Sequence, residues 1–132
     1  MSQKGDYEGA LVMHQKAVAI EEKSLGAGHP STAESYNNIG VMMRQKGDYE
    51  GALVMYQKSL TILEKSLGDE HPSTAISYNN IGGVMYKKGD YEGALVMLEK
   101  ALAILEKSLG KEHPNTVNTY KWIEIVKAHL KK

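Results

Sequence analysis

Two pairs of adjacent asparagines, Asn37-Asn38 and Asn79-Asn80, stand 42 residues apart. A carboxamide carries donor and acceptor together, so it can bond the backbone of an extended peptide whatever that peptide's side chains are. Three histidines keep the same interval, each just before a proline: His29, His71 and His113. Histidine is a frequent metal ligand, but stacked helical repeats hold equivalent atoms on the order of 10 Å apart. Zinc needs its ligands about 2 Å from one centre. These histidines are therefore expected in loops, and no metal is expected. The chain has no Cys, which removes disulfides and thiolate metal sites. The sequence shows no nucleophile–base pair, phosphate-binding glycine loop or paired-carboxylate site. Neither catalysis nor a cofactor is expected.

The 42-residue interval governs the whole chain. KGDYEGALVM begins at Lys4, Lys46 and Lys88, and EKSLG at Glu22, Glu64 and Glu106. The first two units agree at roughly 30 of 42 positions, and the third departs mostly after its His-Pro. A period of that length makes each unit one supersecondary element that stacks on the next. The units fall at about 4–45, 46–87 and 88–129, within a single domain over residues 1–132.

Each unit reads as two helices. From Asp48 to Leu67, the residues Tyr49, Ala52, Leu53, Tyr56, Leu60, Leu63 and Leu67 recur at three- and four-residue steps, an apolar helical stripe. Asp48 can cap the start, Gly47 frees the turn before it, and Gly68 can close the end in a left-handed conformation. After the His-Pro, Tyr78, Ile81, Gly82 and Met85 form the buried stripe, and Pro72 suits the first turn. Ser31 and Glu34 have capping-box spacing, with Asn115 and Asn118 as a weaker form. Short loops make consecutive helices antiparallel, giving six helices at roughly 6–25, 31–46, 48–67, 73–88, 90–109 and 115–131. Met13, Met55 and Met97 share one position and read as core filler. The eight tyrosines read mostly as repeat-consensus core, with Tyr86 the exception.

The 16 basic and 16 acidic side chains cancel. Nucleic-acid binding needs an excess of Lys and Arg, so none is expected, and no polybasic membrane patch is present. No apolar run approaches the roughly 20 residues of a membrane span. The start, MSQKGDYEG, lacks the basic-then-apolar order of a signal peptide. A cytoplasmic protein is expected.

The run Tyr36-Asn37-Asn38-Ile39-Gly40, followed by Lys46-Gly47-Asp48-Tyr49-Glu50-Gly51-Ala52, resembles the core of a tetratricopeptide repeat. The resemblance covers nearly the whole chain. In it, Gly40, Gly82, Ala52 and Ala94 are the small residues that let paired helices approach. The usual unit has about 34 residues, with a proline closing the second helix. Here that helix runs on through ILEKSLG and the proline comes later, in the His-Pro. This longer form is similar to the repeats of kinesin light chains and related 42-residue arrays, which bind peptide segments along a concave face.

The resemblance implies an all-α α-solenoid of six antiparallel helices with a right-handed superhelical trend. It implies a protein-interaction scaffold that takes a peptide or helical segment of a partner in its groove. The helix after each His-Pro would line that groove, through Glu34, Asn37, Val41, Arg44 and Gln45, then Ile76, Asn79, Gly83, Tyr86 and Lys87, then Asn118, Lys121, Ile125 and Ala128. Asn37, Asn38, Val41, Arg44, Asn79, Asn80, Tyr86, Lys87 and Lys121 are the candidate peptide contacts. For the asparagines the alternative is a bond from one of each pair to a neighbouring helix or to water. A two-cation clamp for a C-terminal carboxylate is not met, because Asn37, Val41, Asn118 and Trp122 occupy the accompanying sites.

The outer helices differ from their counterparts. His14 and Glu21 replace Tyr56/Leu98 and Leu63/Leu105, while Glu124 stands where Gly40 and Gly82 do, and Lys127 where Met43 and Met85 do. Terminal repeats need polar outer faces, so these changes predict a monomer adapted to solvent. Head-to-tail self-association is the alternative, since Tyr7, Ala10, Leu11, Val18 and Leu25 leave the first helix apolar. A structural array without a dedicated ligand is the second function class. Against it, the inner positions differ between units: Glu34, Ile76 and Asn118; Val41, Gly83 and Ile125; Arg44, Tyr86 and Ala128.

Overall fold

The computed structural model describes residues 3–26, 28–68 and 70–131, with side chains from Glu8 onward; Tyr7, expected on the apolar face of the first helix, lies outside these described side chains. Six α-helices follow one another: α1 (Gln3–Leu25), α2 (Pro30–Gln45), α3 (Tyr49–Ser66), α4 (Pro72–Lys88), α5 (Tyr91–Ser108) and α6 (Pro114–Leu130). Each end lies within one residue of its expected place, apart from the earlier start of α1. The fold is all-α and tetratricopeptide-like, with consecutive helices packed on one another within α1–α3 and within α4–α6.

The helix starts fall into two classes. For α3 and α5, Asp48 and Asp90 cap as expected, each Oδ1 accepting the N–H of Gly51 or Gly93 at 3.0 Å. The other class corrects the sequence reading. At α2, α4 and α6 the cap is the histidine, whose Nδ1 accepts the backbone N–H of Ser31, Ser73 or Asn115 at 3.1 Å, with proline at the first helical position. Ser31 and Asn115 lie inside their helices, so the capping boxes do not form there. An imidazole supplies the acceptor that Ser, Thr, Asp or Asn usually gives.

Left-handed glycines turn the chain between helices: Gly26, Gly47, Gly68, Gly89 and Gly110, all with φ between 87° and 94°. A side chain with a Cβ would be strained at that φ. Serines near the helix ends tie back to earlier loops. Ser66 Oγ donates to the Gly28 carbonyl at 2.6 Å, and Ser108 Oγ to the Glu70 carbonyl at 3.1 Å.

The helices divide into two compact units, residues 1–66 and 67–132. In the first, Gly40 of α2 lies against Tyr56 of α3, and Met43 against Gly51. Partner numbers fall on α3 as they rise on α2, the mark of an antiparallel pair. A Cβ on Gly40 would stand 2.7 Å from Tyr56 Cε1, so the expected small-residue role holds there. Val18, Ala33, Ile39, Ala52, Tyr56, Leu60 and Leu63 fill this core. Leu67, expected on the stripe, instead lies past the end of α3 and is 38 % exposed. Met13 is 69 % exposed, so the core-filler reading fails at that site, while Met55 and Met97 are half-buried.

In the second unit Gly82 of α4 meets Leu98 and the Ala94 carbonyl of α5. Ala94, Leu98, Ile123 and Val126 form one cluster of its core, with Met85, Tyr86, Tyr91 and Trp122 packed on it. Two buried hydroxyls, Ser59 Oγ and Thr116 Oγ1, have no hydrogen-bond partner among the described residues. Glu21 also departs from a purely solvent-facing role: it is half-buried and accepts a bond from Ser35 of α2 at 2.5 Å.

Candidate functional site

In the first unit, α2 carries Asn37, Asn38, Val41 and Arg44. Tyr36, one residue earlier, anchors the helix: its hydroxyl donates to Glu22 of α1, and the Lys58 ammonium of α3 lies 5.4 Å from its ring centre. Burial, together with the Glu22 bond and charge, pushes the Tyr36 phenol up to about 12. Asn38 and Arg44 are exposed, while Asn37 and Val41 are half-buried. Burial raises the Tyr56 phenol too, and the Arg44 charge partly offsets this. A cleft of about 520 Å³ opens between α1 and α3 over α2, lined in part by Gln15, Glu22, Tyr36, Met55 and Lys58. None of the candidate contacts lines it.

In the second unit, α4 and α6 are joined side by side at two points. Near mid-helix, Asn79 Nδ2 donates to Thr119 Oγ1 at 3.0 Å, and Thr119 Oγ1 in turn lies 3.3 Å from Asn79 Oδ1 and 2.9 Å from the Asn115 carbonyl. Near their ends, the Tyr86 hydroxyl pairs with His129 Nε2 at 2.9 Å. Asn79 therefore makes the bond to a neighbouring helix that stood as the alternative to peptide contact.

Tyr86 is the hub of an aromatic cluster. Its ring centre is 5.5 Å from Tyr91, 5.4 Å from Trp122 and 5.3 Å from His129, and His129 stacks on Tyr91 at 4.7 Å and 13°. Offset and edge-to-face pairs of this kind add about 0.5–1.5 kcal/mol each beyond area burial. The cluster holds the end of α6 against α4 and α5. Sequence reasoning missed Thr119 and His129 as partners; the available signal was that Trp122 and His129 replace Asn80 and Lys87 one period on. Lys87 and Lys121 are exposed and Asn80 is half-buried.

Gly83 lies between Asn79 and Tyr86, one helical turn from each, on the same side of α4. It differs from the other helical glycines with structural reasons. A Cβ on Gly82 would crowd Leu98, and one on Gly93 would crowd the Asp90 cap, but a Cβ on Gly83 would meet nothing within 4 Å. Its φ is not positive. Glycine in a helix interior costs about 1 kcal/mol relative to alanine, and no packing constraint here offsets that. The equivalent residues are Val41 and Ile125.

Among the described residues, no group of three or more His, Asp or Glu side chains could hold a metal ion. No described helix is long and apolar enough to cross a membrane.

A tetratricopeptide-repeat family profile matches residues 2–65, 38–107 and 73–126. A search of curated proteins returned no match. Among solved structures, the chain is similar to BtubC (BKLC) from P. vanneervenii, with a TM-score of 0.84 and 26 % identity, covering 92 % of this chain and 49 % of that one. It is also similar to a putative kinesin light chain of Podosopora anserina with nearly identical TPR-like repeats (TM-score 0.81, 27 % identity, 94 % of this chain and 59 % of that one). A singly substituted form of the latter gives a TM-score of 0.82 at 27 % identity, over 94 % of this chain and 58 % of that one. The chain thus spans about half to three-fifths of the length of these relatives.

Proposed function

Because the chain belongs to the tetratricopeptide-repeat family, we propose that it is a protein-interaction module that takes a peptide or helical segment of a partner on the helices following each His-Pro. One observation carries this reading. The turn and first-helix sequence KGDYEGALVM repeats verbatim, whereas the positions that vary between repeats include exposed and half-buried ones on the helices after each His-Pro. Arg44 and Ala128 are exposed and Tyr86 half-buried at one such position; Val41 and Gly83 are half-buried and Ile125 exposed at another. Packing alone would let these positions repeat as the rest do, and specificity for a partner wants them to differ. Asn38 and Arg44 of α2, with Lys87 and Lys121 of α4 and α6, are the exposed polar side chains offered to a peptide. Asn37, Val41, Asn80 and Tyr86 border them, and Asn79 supports Thr119.

The test is a peptide array screened with the chain and with a variant carrying Asn38→Ala, Arg44→Ala and Lys121→Ala. Peptides that bind the chain and fade at least about tenfold with the variant (about 1.4 kcal/mol) support the reading. Peptides that bind both equally place recognition elsewhere, and an array without bound peptides removes the proposal.

The chain acts alone in this reading. Glu124 occupies the position at which Gly40 and Gly82 touch their partner helix, where even a Cβ would come within 2.7–3.0 Å of a side chain. A second copy's α1 could not pack there at the spacing of the internal pairs. The exposed apolar residues of α1, Val12, Met13, Ile20 and Leu25, are what favour the rival reading of a self-associating array.

A further inference from the structure

We propose that the three His-Pro corners make the chain sensitive to mild acid: a proton taken up by His29, His71 or His113 removes the cap of the helix it starts. The inference stands apart from the groove reading above. Three observations meet at these corners. First, the imidazole Nδ1 is the acceptor in each, taking the N–H of Ser31, Ser73 or Asn115 at 3.1 Å. That lone pair exists only while Nδ1 is unprotonated, and a proton there sets one donor against another. Second, the new charge would stand at the positive end of a helix dipole. α2, α4 and α6 have no acidic residue in the first turn to answer it, whereas α3 and α5 carry Glu50 and Glu92. Third, His29 and His71 are exposed and His113 half-buried, so protons reach all three without unfolding. Histidine titrates between about pH 5 and 8, and the three caps weaken together in that window.

The surrounding charges rank the corners. His29 follows Gly28, and the nearest acid within α2 is Glu34, five residues on. The last turn of α1 brings Lys23, and α3, tied to this corner through Ser66 and Gly28, brings Lys65. Glu21 and Glu22 of α1 are bonded further along α2, to Ser35 and Tyr36. His71 follows Asp69 and Glu70, but Lys107 of α5 holds the Glu70 carboxylate at 2.8 Å. His113 follows Lys111 and Glu112, and Glu106 at the end of α5 is bonded to Tyr120. A neighbouring carboxylate favours the imidazolium and blunts the loss of the cap. His29, with none beside it in the chain, is the most acid-sensitive corner.

The experiment follows thermal unfolding from about pH 7.5 to about pH 5 for the chain and for a variant carrying His29→Asn, His71→Asn and His113→Asn. Asparagine is a preferred N-cap and does not titrate, so the variant keeps its corners closed throughout, and every other titrating group is common to both proteins. Over this range the midpoint of the chain should fall by about 10 °C more than that of the variant, the sum of three ordinary caps. His29→Asn alone should recover the largest single share. In the chain itself, the amide proton resonances of Ser31, Ser73 and Asn115 should move upfield as the pH falls, each losing its acceptor. Equal falls in midpoint for the two proteins overturn the proposal. Corner amides that hold their resonances while the imidazoles titrate overturn it as well, and this reading decides the matter if the triple variant does not fold.

Discussion

Alanine at position 40 would set a methyl group 2.7 Å from Cε1 and 2.8 Å from Cδ1 of Tyr56, whose side chain is only 1 % exposed. Carbon atoms prefer about 3.5–4.0 Å, so the ring must shift by roughly 1 Å or the α2–α3 pair must part. Overpacking of a filled core costs about 1–3 kcal/mol. A buried, rigid ring belongs in the upper half of that range, at about 2–3 kcal/mol. The methyl returns about 1 kcal/mol of helix propensity. Gly40→Ala should therefore lose about 1–2 kcal/mol net, by difference of these two terms. Gly83→Ala makes the same chemical change with no clash and should gain about 0.5–1 kcal/mol. Urea unfolding of the two variants beside the parent reads the contrast directly. With a slope near 2 kcal/mol per molar, Gly40→Ala should lower the midpoint by about 0.5–1 M and Gly83→Ala raise it by about 0.3–0.5 M. The slope itself should not change. A Gly40→Ala protein as stable as the parent would refute the close approach of α2 to Tyr56 as the reason for that glycine.

His71→Ala should cost about 1 kcal/mol by removing an N-cap acceptor, and His71→Asp should restore most of it; equal thermal midpoints for all three proteins would contradict the cap. Ser59→Ala should raise stability by about 1 kcal/mol, because the Oγ is buried without a partner and Ala101 already occupies the equivalent place; a loss on calorimetry would show an unseen partner. The Tyr36 phenol, raised from 10.0 to about 12, favours the fold in its neutral form. That contribution is complete below pH 10 and disappears as pH climbs towards 12, so stability should fall across this window. Tyr36→Phe should remove a step near pH 12 from the phenolate absorbance titration; a titration unchanged by it would sink the assignment. Finally, Glu124→Gly with Lys127→Met and His14→Tyr should turn a chain of constant mass in sedimentation into one whose mass grows with concentration; growth in the parent itself would show that Glu124 is no barrier.

The helices were legible because each rests on a local pattern: apolar steps of three and four, an Asp before the helix, a glycine after it. The histidine caps escaped that reading because His is not among the preferred cap residues, although His before a helix-starting Pro three times over was the clue. A bond from one asparagine of each pair to a neighbouring helix stood as an alternative in the sequence, while Tyr86 was legible only as unusual. The partners of Asn79 and Tyr86, Thr119 and His129, lie 40 and 43 residues away, and only the approach of α6 to α4 makes the pairs. The period of 42 narrows where such partners fall without saying which side chains meet. Gly83 was visible only as a difference between repeats. That its Cβ would be uncrowded, unlike that of Gly82 beside it, follows from packing that no single-sequence pattern contains.

The left-handed glycines recur at 26, 47, 68, 89 and 110, every half-period, whether the chain is leaving the first or the second helix of a unit. Each of α1 to α5 thus ends in the same left-handed backbone state, which glycine admits as readily as its mirror image and which the surrounding structure selects. At these five places the preferred substituent is of opposite hand to every natural amino acid: D-alanine at position 47, introduced by chemical synthesis, should tighten the same turn that L-alanine would strain.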